Sequence, residues 1–309
     1  MITRRNLLKL FGATVLAGVG LGGYAFGVEP GLRLRVQRYA VTPSGWPAGF
    51  KLRLAVIADP HACEPWMSAA RVSRIADLTN TLEADVVLLL GDYVATHKYR
   101  TGTVPPKDWS HALARVDAPL GAHAVLGNHD WWSDRTAQEK RSGPVFGRLA
   151  LEDAGIPVYE NDAVRLEKDG QAFWLAGLAD QIAFLPRRSR GEREFIGLDD
   201  LPGTLARGSD DAPVILMAHE PDIFPQVPDR VALTISGHTH GGQVRLFGYS
   251  PVVPSAFGNR YAYGHVVEAE RNLIVSGGLG CSIMPVRFGV PPEITLIDLG
   301  LSSDVGAST

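Results

Sequence analysis

Five short segments of the chain hold residue types that bind metal ions or transfer protons. They contain five of the nine histidines and read Asp59-Pro60-His61, Gly91-Asp92, Gly127-Asn128-His129-Asp130, His219 and Gly237-His238-Thr239-His240. Two carboxylates, one amide and several imidazoles form a mixed oxygen and nitrogen set, which suits Mn, Fe or Zn better than a thiolate metal or an all-oxygen calcium cage. Since one tetrahedral ion cannot use so many ligands, the set predicts two divalent ions about 3.5–4 Å apart.

The formal charge of such a site predicts the kind of molecule that it attracts. Two divalent ions are opposed by two aspartates and one bridging hydroxide, so the centre keeps a charge of about +1. A positive centre attracts an anionic phosphate and stabilises the charge that develops in the transition state. These residue types therefore indicate metal-assisted hydrolysis of a phosphoester.

An apolar run precedes each of the five segments. The runs cover residues 52–58, 86–90, 122–126, 214–218 and 231–236. Runs of this length and composition are typical of strands that are buried on both faces of a sheet. Ligand sites of α/β proteins lie at the carboxyl ends of such strands, so we expect the five segments to converge on one site.

The rest of the body alternates between helical and strand patterns. The patterns predict helices over residues 68–84, 108–116 and 143–154, and further strands over residues 172–178, 273–276 and 294–299. We expect an α/β sandwich of mixed β-sheets flanked by helices, formed by one domain over residues 50–300. Residues 28–49 are expected to be a leader strand or linker into this domain, and residues 301–309 a C-terminal tail.

The composition excludes several classes of protein. The chain has 309 residues and a net charge of −3, without the basic excess of a dedicated nucleic-acid binder. Its 45% of hydrophobic residues argues against disorder. Two cysteines, Cys63 and Cys281, are too few for a disulfide-stapled scaffold or a cysteine-rich zinc module. Pairing of the two requires Cα atoms within about 7 Å, which the sequence leaves open.

Residues 1–27 have the composition of a targeting segment. Arg4 and Arg5 lie in a positive stretch that precedes an apolar run over residues 10–27. The arrangement resembles a twin-arginine signal, which implies the twin-arginine export machinery as a partner. We expect the body to lie outside the cytoplasmic membrane, because the positive flank is N-terminal to the apolar run. Cleavage near Ala25-Phe26-Gly27 and retention as a membrane anchor through residues 10–27 both stay open.

Taken in order, the five segments resemble the motifs of the calcineurin-like metallophosphoesterases. The resemblance covers about residues 50–300 and implies the four-layer type of α/β sandwich, with two mixed β-sheets flanked by helices. Residues 237–244 and 291–294 resemble an exported, cell-wall-associated bacterial branch, some of whose members carry twin-arginine signals. The resemblance implies an exported dinuclear-metal phosphohydrolase that acts on phosphoesters of the cell envelope or periplasm.

The resemblance also implies a role for each motif residue. One metal would be bound by Asp59, His61 and His240, the other by Asn128, His219 and His238, and both by the bridging Asp92. A hydroxide that bridges the metals would attack phosphorus. His129 would be the general acid that protonates the leaving oxygen, and Asp130 would orient it.

Four further residues are candidates for substrate contacts. Trp131 follows the third motif directly and, with Trp132, is a candidate apolar wall for the leaving group. Arg245 and Arg287 follow the last histidine motif and are candidates for a bidentate clamp on phosphate. Core packing of the tryptophans and a solvated position of the arginines are the alternatives.

Other functions stay open as alternatives. Some relatives of this fold hydrolyse UDP-diacylglucosamine, so a pyrophosphate hydrolase of a lipid-linked nucleotide sugar is one of them, although the export signal argues against it. A non-catalytic metal-binding module would show gaps in the ligand set, and the motifs have none. A nuclease would show a basic groove or extra domains, so no nucleic-acid partner is expected.

Overall fold

Two β-sheets carry the residues that the sequence singles out. The computed structural model describes residues 3–187 and 191–301. The strands are, in chain order, β1 (Arg35–Val41), β2 (Leu52–Ile57), β3 (Cys63–Glu64), β4 (Val86–Leu89), β5 (Gly102–Thr103), β6 (Ala122–Ala124), β7 (Asp162–Lys168), β8 (Gln171–Gly177), β9 (Val214–Met217), β10 (Val231–Ser236), β11 (Gly264–Glu268), β12 (Arg271–Val275) and β13 (Glu293–Leu299).

Both large sheets are mixed. The first has the strand order β1-β13-β2-β4-β6, in which β2, β4 and β6 are parallel and β13 runs antiparallel to β2. The second has the order β11-β12-β10-β9-β8-β7, in which the four central strands are parallel and the two edge strands antiparallel. A small ribbon pairs β3 with β5.

Eight α-helices accompany the strands in the described part of the chain. They are α1 (Arg4–Gly23), α2 (Glu29–Leu32), α3 (Ala69–Asn80), α4 (Pro106–Leu113), α5 (Asn128–Trp132), α6 (Arg135–Lys140), α7 (Phe146–Asp153) and α8 (Leu201–Leu205). A π-helical turn, Tyr24–Val28, joins α1 to α2. The start of α3 shows why these segments are helical: Ser68 accepts a hydrogen bond from the Arg71 amide, and apolar side chains such as Val72 and Ile75 then recur on the buried face.

The packing forms four layers. One apolar cluster joins the facing sides of the two sheets, with Leu54 and Val56 from the first against Phe173 and Ile215 from the second. A second cluster packs α3, α4 and α7 on the outer face of the first sheet, and a third covers the outer face of the second sheet. The α/β sandwich of two mixed sheets flanked by helices is therefore confirmed.

Some strands can be predicted from the sequence and others cannot. β4, β9 and β10 are buried at every residue, which explains their continuous apolar runs. The edge strands β7 and β11 escape prediction, because nearly every residue in them is half-buried or exposed and they lack such a run. The short helices α5, α6 and α8 are too brief to show a period.

The body of the protein begins before residue 50. β1 pairs in parallel with β13 over its full length, from Arg35 opposite Glu293 to Val41 opposite Leu299. The leader strand expected within residues 28–49 is therefore β1, and its pairing makes it part of the first sheet. The predicted C-terminal tail lies, from residue 302 onward, outside the described residues.

Candidate metal centre

Four buried side chains meet where the two sheets come together. One ligand atom from each of Asp59, His61, Asp92 and His240 lies within 4.8 Å of the other three. His61 Nε2 is 3.1 Å from His240 Nε2 and 3.4 Å from Asp92 Oδ2. Atoms that bind one ion at about 2.1 Å lie roughly 3–4 Å from one another, so the spacing fits an ion.

A second group shares one of these carboxylates. Asp92, His219 and His238 also place a ligand atom each within 4.8 Å. His219 Nε2 is 3.3 Å from Asp92 Oδ2, and His238 Nδ1 is 2.9 Å from Asn128 Oδ1. Asn128 thus joins the second group, and Asp92 lies between the two groups. All seven sequence-predicted ligands are brought together in the arrangement expected of a dinuclear centre.

The second nitrogen of two histidine rings is already engaged. His61 Nδ1 lies 3.1 Å from the Val94 carbonyl and His219 Nδ1 lies 2.6 Å from the Leu90 carbonyl. Each Nδ1–H donates to a backbone oxygen, which leaves the lone pair of Nε2 directed at the cluster. This is the tautomer that a metal-binding imidazole needs.

Two buried polar atoms at the centre lack a partner in the described part of the chain. Asp59 Oδ2 and His219 Nε2 make no hydrogen bond of acceptable geometry, although both residues are fully buried. Buried polar atoms are normally satisfied, because leaving one unpaired costs about 1–3 kcal/mol. Both atoms belong to the ligand groups, so the residues fit a pair of divalent ions.

Burial dominates the electrostatics of the ligands. It raises the pKa of Asp59 and lowers the pKa of His61 to about 3. Without a bound ion, burial therefore favours the neutral carboxyl of Asp59 and the neutral imidazole of His61. Asp92 is different: burial raises its pKa, but the charge of His219, whose own pKa Asp92 raises, holds it well below the usual range. The central carboxylate is therefore charged, as a bridge between two cations must be.

The turns that present the ligands are conformationally strained. Asp59, His61, Asp92, His238 and His240 all have positive φ, between 44° and 66°. Side chains other than glycine rarely adopt this region, and such strain clusters at functional sites. Gly91 has φ +88°, and a Cβ there would overlap the backbone of Gly127. The close approach of these two loops is what lets Asp92 reach the second ligand group.

Asp130 does not orient His129, as the sequence analysis expected. Its Oδ2 accepts hydrogen bonds from the Asp92 and Gly127 amides, both at 2.9 Å, and its Oδ1 accepts one from the Tyr93 amide at 2.9 Å. It is fully buried beneath the two loops. Asp130 therefore ties the Asp92 loop to the Asn128 loop and does not contact the imidazole of its neighbour.

The ring of His129 is held by two residues that no motif predicts. Thr96 Oγ1 lies 2.6 Å from Nδ1, and Ser282 Oγ lies 3.0 Å from Nε2. Nε2 is also 4.0 Å from Asp92 Oδ2, which puts it at the edge of the cluster. Burial lowers the pKa of His129, opposed by the Asp92 carboxylate. Thr96 and Ser282 lie on loops without sequence pattern, so only the fold reveals them.

Of the two tryptophans predicted as an apolar wall for the leaving group, Trp132 lies beside His129 and Trp131 does not. Trp131 is buried in the core, edge-on to Phe184 with ring centroids 5.4 Å apart. Trp132 lies 5.2 Å from the His129 ring and stacks on Phe195 at 5.3 Å. Its indole N–H donates to the Ile182 carbonyl at 2.9 Å, which fixes the ring beside the candidate proton donor.

The two arginines predicted as a phosphate clamp differ in their surroundings. Arg287 is fully buried and donates to the carbonyls of Gly277, Gly280 and Val290. Its Nη2 also lies 3.1 Å from His240 Nδ1, so Arg287 supports a ligand of the metal centre instead of touching substrate. Arg245 is half-buried, donates to Ser250 Oγ and lies over the Tyr263 ring. The expectation for Arg287 is therefore wrong, whereas a phosphate contact of Arg245 stays a prediction.

Cys63 and Cys281 are buried free thiols in the structure. Burial raises the pKa of Cys63 to about 11 and raises the pKa of Cys281 as well. Thiols of this kind are poor nucleophiles and poor metal ligands at neutral pH. The question of pairing, open in the sequence, is answered here by two separate thiols.

Comparison with known proteins agrees with this site. The model of the family described as calcineurin-like phosphoesterase matches residues 52–242, which is more than half of the chain. The match includes strands of both sheets, β2 to β10, and ends just after the last histidine motif.

Several curated relatives are similar over nearly the whole chain. An uncharacterised metallophosphoesterase of Bacillus subtilis, YkuE, is 29% identical and covers 96% of this chain and 98% of its own. The phosphodiesterase YaeI of Escherichia coli is 27% identical and covers 97% and 100%. A transmembrane protein with a metallophosphoesterase domain from Danio rerio is 29% identical and covers 96% and 63%. The chain belongs to the dinuclear, calcineurin-like phosphoesterase family and is a metal-dependent phosphoesterase.

Proposed function

We propose that this protein is an exported phosphohydrolase that uses two metal ions to cleave phosphoester bonds of substrates in the cell envelope or periplasm. One observation carries the proposal: two groups of ligand residues share Asp92, and His129 Nε2 lies 4.0 Å from its Oδ2. A carboxylate shared in this way suits two ions about 3.5–4 Å apart, the separation found in two-metal sites that hydrolyse phosphoesters. The family to which the chain belongs supports the same reaction.

The ligands divide into two sets around Asp92. We assign Asp59, His61 and His240 to one ion and Asn128, His219 and His238 to the other. Their oxygen and nitrogen donors suit Mn, Fe or Zn. When bound, the ions supply Lewis-acid activation of water and neutralise charge on the phosphate. The chain itself holds the ligands in one geometry, through Asp130 on one side and Arg287 on the other.

The proton donor of the chain is His129. Its Nδ1 lies 2.6 Å from Thr96 Oγ1, so Nε2, which lies 4.0 Å from Asp92 Oδ2, is the nitrogen that faces the cluster. A general acid must lie within hydrogen-bond distance of the oxygen that leaves. A leaving oxygen that replaces Ser282 Oγ next to Nε2 would receive the proton there. The ring of Trp132 then lies beside the leaving group.

The N-terminal segment is proposed to direct export and to remain as an anchor. The helical stretch Arg4–Leu32 is long and apolar enough to cross a membrane, a test that a signal sequence also passes. Its last turns pack on the body: Ala25 is buried and its carbonyl accepts a hydrogen bond from the Arg287 amide, while the Phe26 carbonyl accepts one from Trp66 Nε1. Cleavage near residue 27 would remove these contacts, which supports retention.

The experiment that tests the activity uses the full-length chain in detergent, loaded with Mn²⁺. Bis-p-nitrophenyl phosphate and p-nitrophenyl phosphate are supplied separately, each with and without a chelator, and Asp92→Asn serves as the variant without a bridge. We expect turnover that the chelator abolishes, and the preferred ester distinguishes a diesterase from a monoesterase. Failure to turn over either ester with two ions bound would contradict the proposal and favour a selective pyrophosphate substrate or a non-catalytic module.

The anchor is tested separately from the activity. Cells that produce the full-length chain are fractionated, and the mass of the protein in each fraction is measured. We expect the unprocessed mass in the membrane fraction, with the body accessible to protease from outside the cytoplasmic membrane. A soluble product shortened near residue 27 would contradict retention, and protection of the body inside the cytoplasm would contradict export.

A further inference from the structure

Exposed apolar side chains concentrate on four loops of the body. Phe247 is fully exposed, and Ile283 and Tyr249 are 75% and 62% exposed. Tyr99 and Phe195 are nearly half exposed on two further loops. Large exposed apolar patches on a protein normally mark a surface that meets a partner or a membrane.

The four loops lie at one end of the molecule. They follow the carboxyl ends of β4, β8, β10 and β12, and the metal-ligand residues follow the carboxyl ends of β2, β4, β6, β9 and β10. Since these strands run parallel within their sheets, loops and ligands share the same end. The apolar loops therefore lie at the end of the molecule that holds the candidate metal centre.

The N-terminal helix joins the body at this same end. β1 starts at Arg35, opposite the start of β13 at Glu293, and β13 runs antiparallel to β2. The start of β1 is thus next to the end of β2, where Asp59 follows. Tyr24 packs edge-on against Phe288, with ring centroids 6.1 Å apart. The backbone of Phe288 pairs with residues 243–245, directly before the exposed turn at Phe247.

Two of the loops have the composition of segments that tolerate lipid. Residues 246–258 and 276–286 contain no charged side chain, so their insertion would leave no ion desolvated. Tyr99 adds an aromatic ring with Lys98 Nζ 5.5 Å from its centroid, a pair that suits the level of lipid headgroups.

We propose, on the basis of the anchored phosphohydrolase inferred above, that this end of the sandwich rests on the bilayer into which the N-terminal helix inserts. The loops around Tyr99, Phe195, Phe247 and Ile283 lie in the headgroup region, and the metal centre faces the membrane surface. The substrate is then a phosphoester held at that surface, of the phosphodiester class found in membrane lipids.

The surroundings of His129 connect this docking to the reaction. Thr96 and Ser282 contact its two ring nitrogens, and Trp132 lies against its face. Tyr99 follows Thr96 by three residues, Ile283 follows Ser282 directly, and Phe195 stacks on Trp132. Each neighbour of the candidate proton donor is thus continuous with an apolar loop, so a leaving group on the lipid side reaches Nε2.

Depth-dependent quenching tests the docking without any use of turnover. Phe247→Cys and Val267→Cys of the full-length chain each receive an environment-sensitive fluorophore and are reconstituted into phosphatidylglycerol and phosphatidylethanolamine vesicles that contain nitroxide-labelled lipid. Val267 is the matched control, since it is 58% exposed and apolar but lies on β11 opposite Asn272, towards the far end of the sheet. The unsubstituted chain gives the labelling background, because Cys63 and Cys281 are buried.

We expect the probe at position 247 to lose about half of its emission to the nitroxide lipid and the probe at position 267 to lose little. Equal quenching at the two positions, or none at position 247, would overturn the proposal. A probe at position 247 that is shielded from aqueous iodide but not quenched by the lipid would also overturn it, because a second copy or another protein would then cover the surface.

A second measurement tests the substrate class. Phe247→Asp removes the apolar ring and introduces a residue type that tolerates the positive φ of this position. We expect unchanged turnover of soluble bis-p-nitrophenyl phosphate and about tenfold slower hydrolysis of a fluorescent phospholipid in vesicles. Equal turnover of the phospholipid by both proteins would overturn the membrane substrate. If the unsubstituted protein hydrolyses neither ester, the proposed function fails, while the quenching result still decides the docking.

Discussion

The ligand residues and the loops around them are built in opposite ways. Asp59, Asp92 and His219 are at most 1% exposed, and backbone or side-chain groups hold the loops that carry them. The loops that carry Thr96 and Ile283 lie at the surface and expose apolar side chains. The ligand residues are held in place by contacts in the protein interior, whereas the loops present apolar side chains to the surroundings of the protein.

This difference separates the reaction from the choice of substrate. Buried ligands can bind ions and polarise a phosphate regardless of what the phosphate is attached to. The exposed loops, which we propose to contact the leaving group, would then decide which ester fits. Substitutions in the buried region should therefore affect all substrates, and substitutions in the loops should affect only some of them.

The largest effect is expected for the bridging carboxylate. Asp92→Asn removes the one charge that both ligand groups share, so both ions should bind more weakly. We expect turnover of every phosphoester to fall by more than about 100-fold. This is more than the loss caused by removing a residue that only hydrogen-bonds to a metal ligand. Metal content by mass spectrometry, compared with the exposed Asp77→Asn control, checks the cause. Full metal content in an inactive variant would mean that Asp92 has another role.

His129→Gln should be the next largest and should depend on the substrate. Loss of a general acid costs about 10²–10⁴-fold, and only where the leaving oxygen needs a proton. We expect a large loss with alkyl esters, a small one with p-nitrophenyl esters, and normal metal content. His265→Gln, on β11, is the control. Equal losses on both kinds of ester would refute the role of His129 as a general acid. They would also contradict the idea that groups beside the buried ligands affect some substrates more than others.

The two arginines offer a direct comparison of buried and half-buried positions. Arg287→Met removes donors from three buried carbonyls and from His240 Nδ1, so we expect a loss of about 3 kcal/mol in the free energy of unfolding. Metal affinity should fall about 10–100-fold, as for other supporting partners of a ligand. Arg245→Met should leave metal affinity unchanged. Denaturant unfolding and metal titration check both; unchanged affinity in Arg287→Met would remove its supporting role.

The sequence predicts the buried region far better than the loops. The apolar runs that form β2, β4, β9 and β10 also place the ligand residues, because each motif directly follows its strand. The apolar pattern that predicts each strand therefore also predicts where its ligand residues lie, and all seven ligands could be named from the sequence. The supporting contacts of Asp130 and Arg287 could not, since they depend on which backbone groups the folded loops bring to them.

The loops carry no such signal. Thr96 and Ser282 touch His129 only because two chain segments far apart in sequence meet there. Trp131 and Trp132 are adjacent and chemically alike, yet one is buried in the core and the other lies beside the site. A difference of one position on a short helix decides which side each faces, and α5 is too short for its period to be read.

The smallest effect is expected at the edge between the two regions. Thr96→Val keeps the shape of the side chain but removes the hydroxyl from His129 Nδ1, a hydrogen bond that contributes about 1 kcal/mol. Turnover of alkyl esters should fall about fivefold, with p-nitrophenyl esters and metal content unchanged. The decisive measurement is the double variant: Thr96→Val should have no further effect once His129 is Gln, because it acts only through that ring. An additional fivefold loss in the His129→Gln background would show that Thr96 contacts the substrate itself, and the loop would then belong to the region that chooses the ester.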